Sequence, residues 1–321
     1  MAKRKLPIKV GLVLPTIARP GRAPVRWSEV ETMARIAEDI GFDSLWLVDH
    51  FLYQMQGEKE AQGCWECWSW LSALAACTRR VELGTAVLGL GFRNPALLAK
   101  MVDTVEEISN GRLILGVGAG YHEREYRAFG FPYDHRYSRF AEAIEIVHGL
   151  LRNGRIDFHG KYHEARECEL RPRGPRKEGP PILFGSKGPK MLKLAARYGD
   201  SWNAWWDDTR NSIAAVPALN ALVDTACREA GRDPATMERT VGVLVADPSA
   251  DPWWDRMPTG YDDVKLTPLS GPPEQIAAGL LAYKRERIAH IQIALDPMRP
   301  DTVEALAPVL ESLDRMGHGV H

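Results

Sequence analysis

The chain has 321 residues, 45% of them apolar, and a formal net charge of -1. That length and composition support a substantial core, and the balanced charge leaves no basic stripe for nucleic acid. No apolar run is long enough to span a bilayer, and the charged start Met-Ala-Lys-Arg-Lys-Leu-Pro does not read as a secretory signal. Five cysteines, an odd number, fit a reducing compartment, so the expected location is cytoplasmic.

Short apolar runs alternate with helical patterns along the whole chain. Ile8–Leu14 reads as a strand and Ser28–Ile40 as a helix, with Ser28 ahead of Glu29 and Glu31 at its start and Gly41 past its end. Ser44–Val48 is followed by a helical Trp68–Ala76, Val81–Leu88 by Pro95–Ile108, and Leu113–Val117 by Ser138–Leu151. The second half continues the rhythm: Ile182–Phe184 and Pro189–Tyr198, Ser201–Asn203 and Ile213–Glu229, Thr240–Ala246 and Glu274–Lys284, Ile291–Leu295 and Val303–Met316. The strands are mostly unbroken Val/Leu/Ile runs, the pattern of parallel strands covered on both faces. Eight such units in this length predict an α/β fold, a closed (β/α)8 TIM barrel forming a single domain over 1–321. Two stretches, near 152–181 and 247–273, are rich in Gly, Pro and charge and read as loop insertions at the C-terminal mouth. The second, with Trp253-Trp254, is expected to be a mobile cover.

Three strand ends carry residues with chemical potential. Asp49-His50 closes the second strand, where it is either a simple strand terminus or a proton-exchanging pair at the barrel mouth. Leu113–Val117 runs into Gly118-Ala119-Gly120 and then Tyr121, a Gly-x-Gly-x-Gly spacing that lacks the third glycine of a dinucleotide turn. Gly185-Ser186-Lys187-Gly188 joins a strand to a helix, a place where backbone N–H groups, a hydroxyl and an ammonium suit a phosphate, or where a solvated lysine follows a glycine turn. His122, Glu123 and Glu125 read as surface residues of a helix start, and no His/Glu spacing indicates a metal. Cys64-x-x-Cys67 lacks the second pair that a zinc site needs, and Glu66 reads as a charge in a helix cap region. Ten tryptophans, several near strand ends, suggest core packing and an apolar, stacking pocket for a planar substrate.

The blocks Gly41-Phe-Asp-Ser-Leu-Trp-Leu-Val-Asp-His-Phe51, Glu66-Cys-Trp-Ser-Trp-Leu-Ser-Ala-Leu-Ala-Ala76 and Val81-Glu-Leu-Gly-Thr-Ala-Val87 occur in order. They are followed by Asn94-Pro95, Gly111–Gly120, Tyr126-Arg-Ala-Phe-Gly130, Ile182–Gly188 and Asp200-Ser-Trp-Asn203. In that order and spacing the chain resembles the luciferase-like flavin- and deazaflavin-dependent oxidoreductases. The resemblance implies a catalytic His50 beside a deazaflavin ring, with Asp49 orienting that imidazole or bonding the cofactor. It also implies a non-proline cis peptide at Ala86-Val87 against the ring, Ala119, Gly120 and Tyr121 at the cofactor, and Gly185, Ser186, Lys187 and Gly188 on its phosphate. Tyr121 replaces the acid of the family's sugar-phosphate dehydrogenases, which speaks against their substrate. The implied activity is hydride transfer between coenzyme F-420 and an organic, apolar or planar small molecule. The alternatives are a monooxygenase using reduced FMN and dioxygen, and a non-catalytic flavin-binding barrel. Neither nucleic acid nor membrane is an expected partner, and a homodimer is left open.

Overall fold

The computed structural model describes residues 6–19, 23–54, 59–247 and 266–318. Eight strands form one closed parallel ring: β1 (Lys9–Val13), β2 (Ser44–Leu47), β3 (Glu82–Thr85), β4 (Leu113–Gly118), β5 (Ile182–Phe184), β6 (Ser201–Ala204), β7 (Glu238–Ala246) and β8 (Ile288–Asp296). Each pairs in parallel with the next, and β8 closes onto β1 with Lys9 opposite His290 and Val13 opposite Ala294. Around it lie α1 (Trp27–Ile40), α2 (Cys67–Cys77), α3 (Pro95–Ser109), α4 (Glu123–Ala128), α5 (Arg136–Asn153), α6 (Pro189–Tyr198), α7 (Val216–Glu229) and α8 (Pro273–Arg285). The chain then forms α9 (Pro300–Glu304) and α10 (Ala307–His318). This is the (β/α)8 architecture expected from the alternation of patterns.

The strands bury side chains on both faces, which is why they read as unbroken apolar runs. Outward side chains such as Val10, Leu45 and Leu115 join the helices in the main core, while Val13, Trp46, Ile114 and Leu183 fill the barrel itself. Trp46 is fully buried and takes the space over Gly11 and Gly84, where an added Cβ would lie 2.4 Å or less from its ring atoms. Its indole N–H donates to Ser44 Oγ at 2.7 Å, and Ser44 Oγ meets His290 Nε2 at 2.7 Å. Burial, with the charge of Lys9 beside it, pushes the His290 imidazole down to about 3, so it stays neutral inside the barrel.

Three sequence expectations are corrected. The helix expected over Val303–Met316 is two helices, because Pro308 falls in the first turn of α10, where its missing N–H costs nothing. The insertion near 152–181 joins the end of α5 to the start of β5, so it lies at the end of the barrel opposite the C-terminal mouth. It carries an antiparallel hairpin, Arg155–His159 with Glu164–Glu169, whose turn is held by Glu142 accepting from the N–H groups of Lys161, Tyr162 and His163 at 2.8–2.9 Å. Val81–Leu88 is interrupted after Thr85 by the cis Ala86–Val87 bond before a short bridge at Leu88–Gly89. Most of the 247–273 insertion, including Trp253 and Trp254, lies outside the described residues; Leu266 packs on Trp206 and Leu244.

Candidate active site at the barrel mouth

The C-terminal ends of β2, β3, β4 and β5 converge on one opening. Beyond β2, Asp49 turns into the wall and His50 faces the mouth with its side chain 16% exposed. The cis Ala86–Val87 peptide follows β3, as the resemblance implied. Val87 presses between β4 and β5: a Cβ on Gly118 or Gly185 would fall 2.7 Å from its methyl groups. Glycine at these two positions lets the strand ends close around the Val87 side chain. Gly120, with φ +64°, then turns the chain so that Tyr121 stands in the mouth, 59% exposed. The Gly120 carbonyl accepts from Arg136 at 2.6 Å and the Ala119 carbonyl from the Tyr126 hydroxyl at 2.8 Å, which fixes this turn from α4 and α5.

Asp49 does not orient His50. Its fully buried carboxylate accepts two bonds from Arg93, at 2.7 and 3.1 Å, and one from the Gly89 N–H at 3.0 Å. Arg93 also pairs with Glu66, which caps α2 by accepting from the N–H groups of Trp68 and Ser69. Burial works against the Arg93 charge, yet Asp49 and Glu66 together hold its guanidinium above the ordinary value. The network ties the His50 strand end to two helices. Its neighbour Cys67 is a fully buried free thiol, pushed well above the ordinary value by burial, and Cys64 is likewise unpaired and raised to about 12 by burial.

The residue that does hold His50 is Glu125, expected at the surface but only 1% exposed. Its carboxylate accepts from His50 Nδ1 at 2.9 Å and from the backbone N–H groups of Phe51 and Leu52 at 3.2 Å. The Tyr53 ring lies edge-on to the imidazole at 4.9 Å and that of Tyr121 at 5.9 Å. Burial raises the Tyr53 phenol, so it stays neutral. Asp207, in the loop after β6, acts electrostatically on both tyrosines, and burial with the adjacent Asp208 charge raises its carboxyl to about 6. Phe51 stacks with Phe92, Phe129 and Phe131 at 4.6–6.0 Å, so one flank of the opening is aromatic.

Opposite this flank, Gly185-Ser186-Lys187-Gly188 follows β5, and Gly188 caps α6. Trp202 steadies the loop by donating its indole N–H to the Ser186 carbonyl at 2.7 Å. The Ser186 hydroxyl is buried with no hydrogen-bond partner among the described residues, a feature that fits a phosphate oxygen. Lys187 extends to Asp208 at 2.5 Å, so its ammonium is held beside the loop. Residues from β2, β3, β4 and β5 that the sequence singled out thus come together, while Glu125, Arg93 and Asp207 join them unannounced. Among the described residues there is no group of three or more His, Cys, Asp or Glu able to hold a metal ion, and no helix long and apolar enough to cross a membrane.

A closed (β/α)8 barrel with its polar residues gathered at the C-terminal mouth defines an enzyme-type scaffold. The sequence profile of the luciferase-like monooxygenase family matches residues 8–255, and the chain belongs to that family. It is 36% identical to an F420-dependent glucose-6-phosphate dehydrogenase of Amycolatopsis mediterranei over 173 residues, 52% of this chain and 50% of that protein. It is 33% identical to a 5,10-methylenetetrahydromethanopterin reductase of Archaeoglobus fulgidus over 55% of this chain and 48% of that protein. The matched stretch thus spans about half the length of these relatives. The fold is shared with an F420-dependent secondary alcohol dehydrogenase solved with an F420-acetone adduct, at a TM-score of 0.78 and 21% identity, covering 95% of this chain and 99% of that one.

Proposed function

We propose that this chain is an oxidoreductase that passes a hydride between coenzyme F-420 and an organic small molecule, with His50 as its proton-exchanging group. The observation that carries the reading is the His50–Glu125 pair at 2.9 Å, set beside the cis Ala86–Val87 peptide and across from the Ser186 hydroxyl, which has no hydrogen-bond partner among the described residues. The names of the F420-dependent relatives support the choice of cofactor.

When bound, the deazaflavin supplies the two-electron hydride chemistry. The chain's own residues would seat and shape it: Val87, Ala86 and Gly118 against the ring, Ala119, Gly120 and Tyr121 along one edge, Ser186, Lys187 and the loop N–H groups on the phosphate. Asp49 contributes from behind the wall, by holding Arg93 and the Gly89 N–H. His50 gives or takes a proton as charge changes on the reacting carbon, work for which an imidazole, able both to donate and to accept, is suited. Tyr121 and Tyr53 present hydroxyls and ring faces beside it, and the Phe51 stack makes the entrance apolar, so an uncharged aromatic or aliphatic substrate fits better than a sugar phosphate. The protein would act in the cytoplasm.

The test is to titrate the purified protein with F-420 and with FMN while following cofactor fluorescence. Saturable binding of F-420 at lower concentration than FMN supports the reading. Preference for reduced FMN, with oxygen consumption, would replace it by the monooxygenase activity after which the family is called.

A further inference from the structure

Glu125 is the more unusual member of the pair at the mouth. It is 75 residues from His50 in sequence, sits on the short α4 and is 2% exposed at its side chain. A buried carboxylate needs compensation, and among the described residues no Lys or Arg pairs with it. The compensation comes instead from His50 and the two residues that follow. Oε1 receives His50 Nδ1 at 2.9 Å and the N–H groups of Phe51 and Leu52 at 3.2 Å each, and Oε2 lies 3.2 Å from the same Nδ1.

We propose that Glu125 is the positioning residue of this site, fixing His50 as the Nδ1–H tautomer and aiming its Nε2 at the barrel mouth. Two backbone N–H groups already point at Oε1, so that oxygen is an acceptor and Nδ1 must carry the hydrogen between them. A free imidazole in water prefers the opposite tautomer, so the carboxylate makes the selection. Nε2 is then the one ring atom able to exchange a proton, and it lies on the side of the ring turned away from Glu125. Because the same oxygen grips the backbone at Phe51 and Leu52, ring and carboxylate move as one body, and Tyr53 and Tyr121 bound the ring edge-on. His122 does not compete: its Nδ1 is 3.8 Å from Oε1, beyond hydrogen-bond reach, and has no hydrogen-bond partner among the described residues. The consequence for hydride transfer rests on the function proposed above; the tautomer does not.

The test reads the tautomer in protein free of cofactor. Nitrogen-15 NMR of histidine-labelled protein, at a pH where the imidazoles are neutral, separates protonated from bare ring nitrogens, and the His50 signals are those lost in His50→Gln. The expected pattern is a protonated Nδ1 and a bare Nε2 in the native protein and in Glu125→Gln, whose amide oxygen can take the place of Oε1. Glu125→Leu should shift the ring toward Nε2–H. In single turnover with F-420, Glu125→Leu should slow hydride transfer by about 10–100-fold, the usual scale for groups that orient a reacting residue, with Glu125→Gln recovering most of the rate. A native His50 carrying its proton on Nε2 overturns the proposal, even if Glu125→Leu fails to fold. So does a folded Glu125→Leu that keeps the Nδ1–H form. Failure of F-420 to bind would remove the proposed function and leave the tautomer result standing.

Discussion

Asp49 and Arg93 meet in a two-point ion pair inside the wall of the barrel mouth, with the Asp49 carboxylate fully buried and the Arg93 side chain 9% exposed. The pair stands directly behind His50, so its integrity sets where that strand end lies. Removing one partner of a buried pair strands the other charge, at a cost of about 3–5 kcal/mol. Arg93→Met should therefore lower stability by about that amount in urea melts, and the double variant Asp49→Asn/Arg93→Met should recover much of it. Equal destabilisation by the single and double changes would show that the geometry matters and the charges do not.

The loop after β5 is expected to act in binding alone. Ser186→Ala combined with Lys187→Ala should weaken cofactor affinity by about 1–3 kcal/mol, the scale of charge-assisted hydrogen bonds, with an unchanged melting curve. The reason is that the Ser186 hydroxyl has no partner among the described residues to lose, while the Lys187–Asp208 pair lies at the surface. Unaltered affinity in the fluorescence titration would rule out a phosphate at this loop.

His290 gives the fold a calculable acid sensitivity. Its imidazole is held down at about 3 inside the barrel, whereas in the unfolded chain it protonates near the ordinary value of 6.5. Unfolded protein thus binds a proton that native protein refuses, so this stabilisation is complete above about pH 6.5 and is lost as the pH falls toward 3. From about pH 7 to about pH 4 the loss from this one group should be roughly 3 kcal/mol. Denaturant melts of native protein and His290→Gln measure it: the variant, whatever its starting stability, should show a correspondingly shallower fall. Parallel pH curves would mean that His290 protonates freely in the fold.

The barrel was legible because its strands are buried on both faces and its helices on one, so each element declares its period and its ends. Asp49-His50 and Gly185–Gly188 were legible for a related reason: in a parallel barrel, residues just past a strand reach the mouth. Glu125 was not. A glutamate in a six-residue helix between His122 and Arg127 looks solvated, and only the approach of the chain after β2 buries it. Tyr126, buried beside it, was the available hint that this turn faces inward. Arg93 and Asp207 sit in loops with no period at all, and their partners are 44 residues away or gathered by the fold. By contrast, the hairpin at Arg155–His159 alternates exposed and half-buried positions, and Pro308 marks the second terminal helix; both signals were present in the sequence.

Single-turnover kinetics of His50→Ala, with F-420 and substrate saturating, read directly whether His50 exchanges the proton that accompanies hydride transfer. The expected result is a transfer rate lower by about 10²–10⁴-fold, the usual worth of a positioned acid–base group, with cofactor affinity nearly unchanged. A variant that transfers hydride at the native rate would contradict this role and leave His50 as a packing residue at the end of β2.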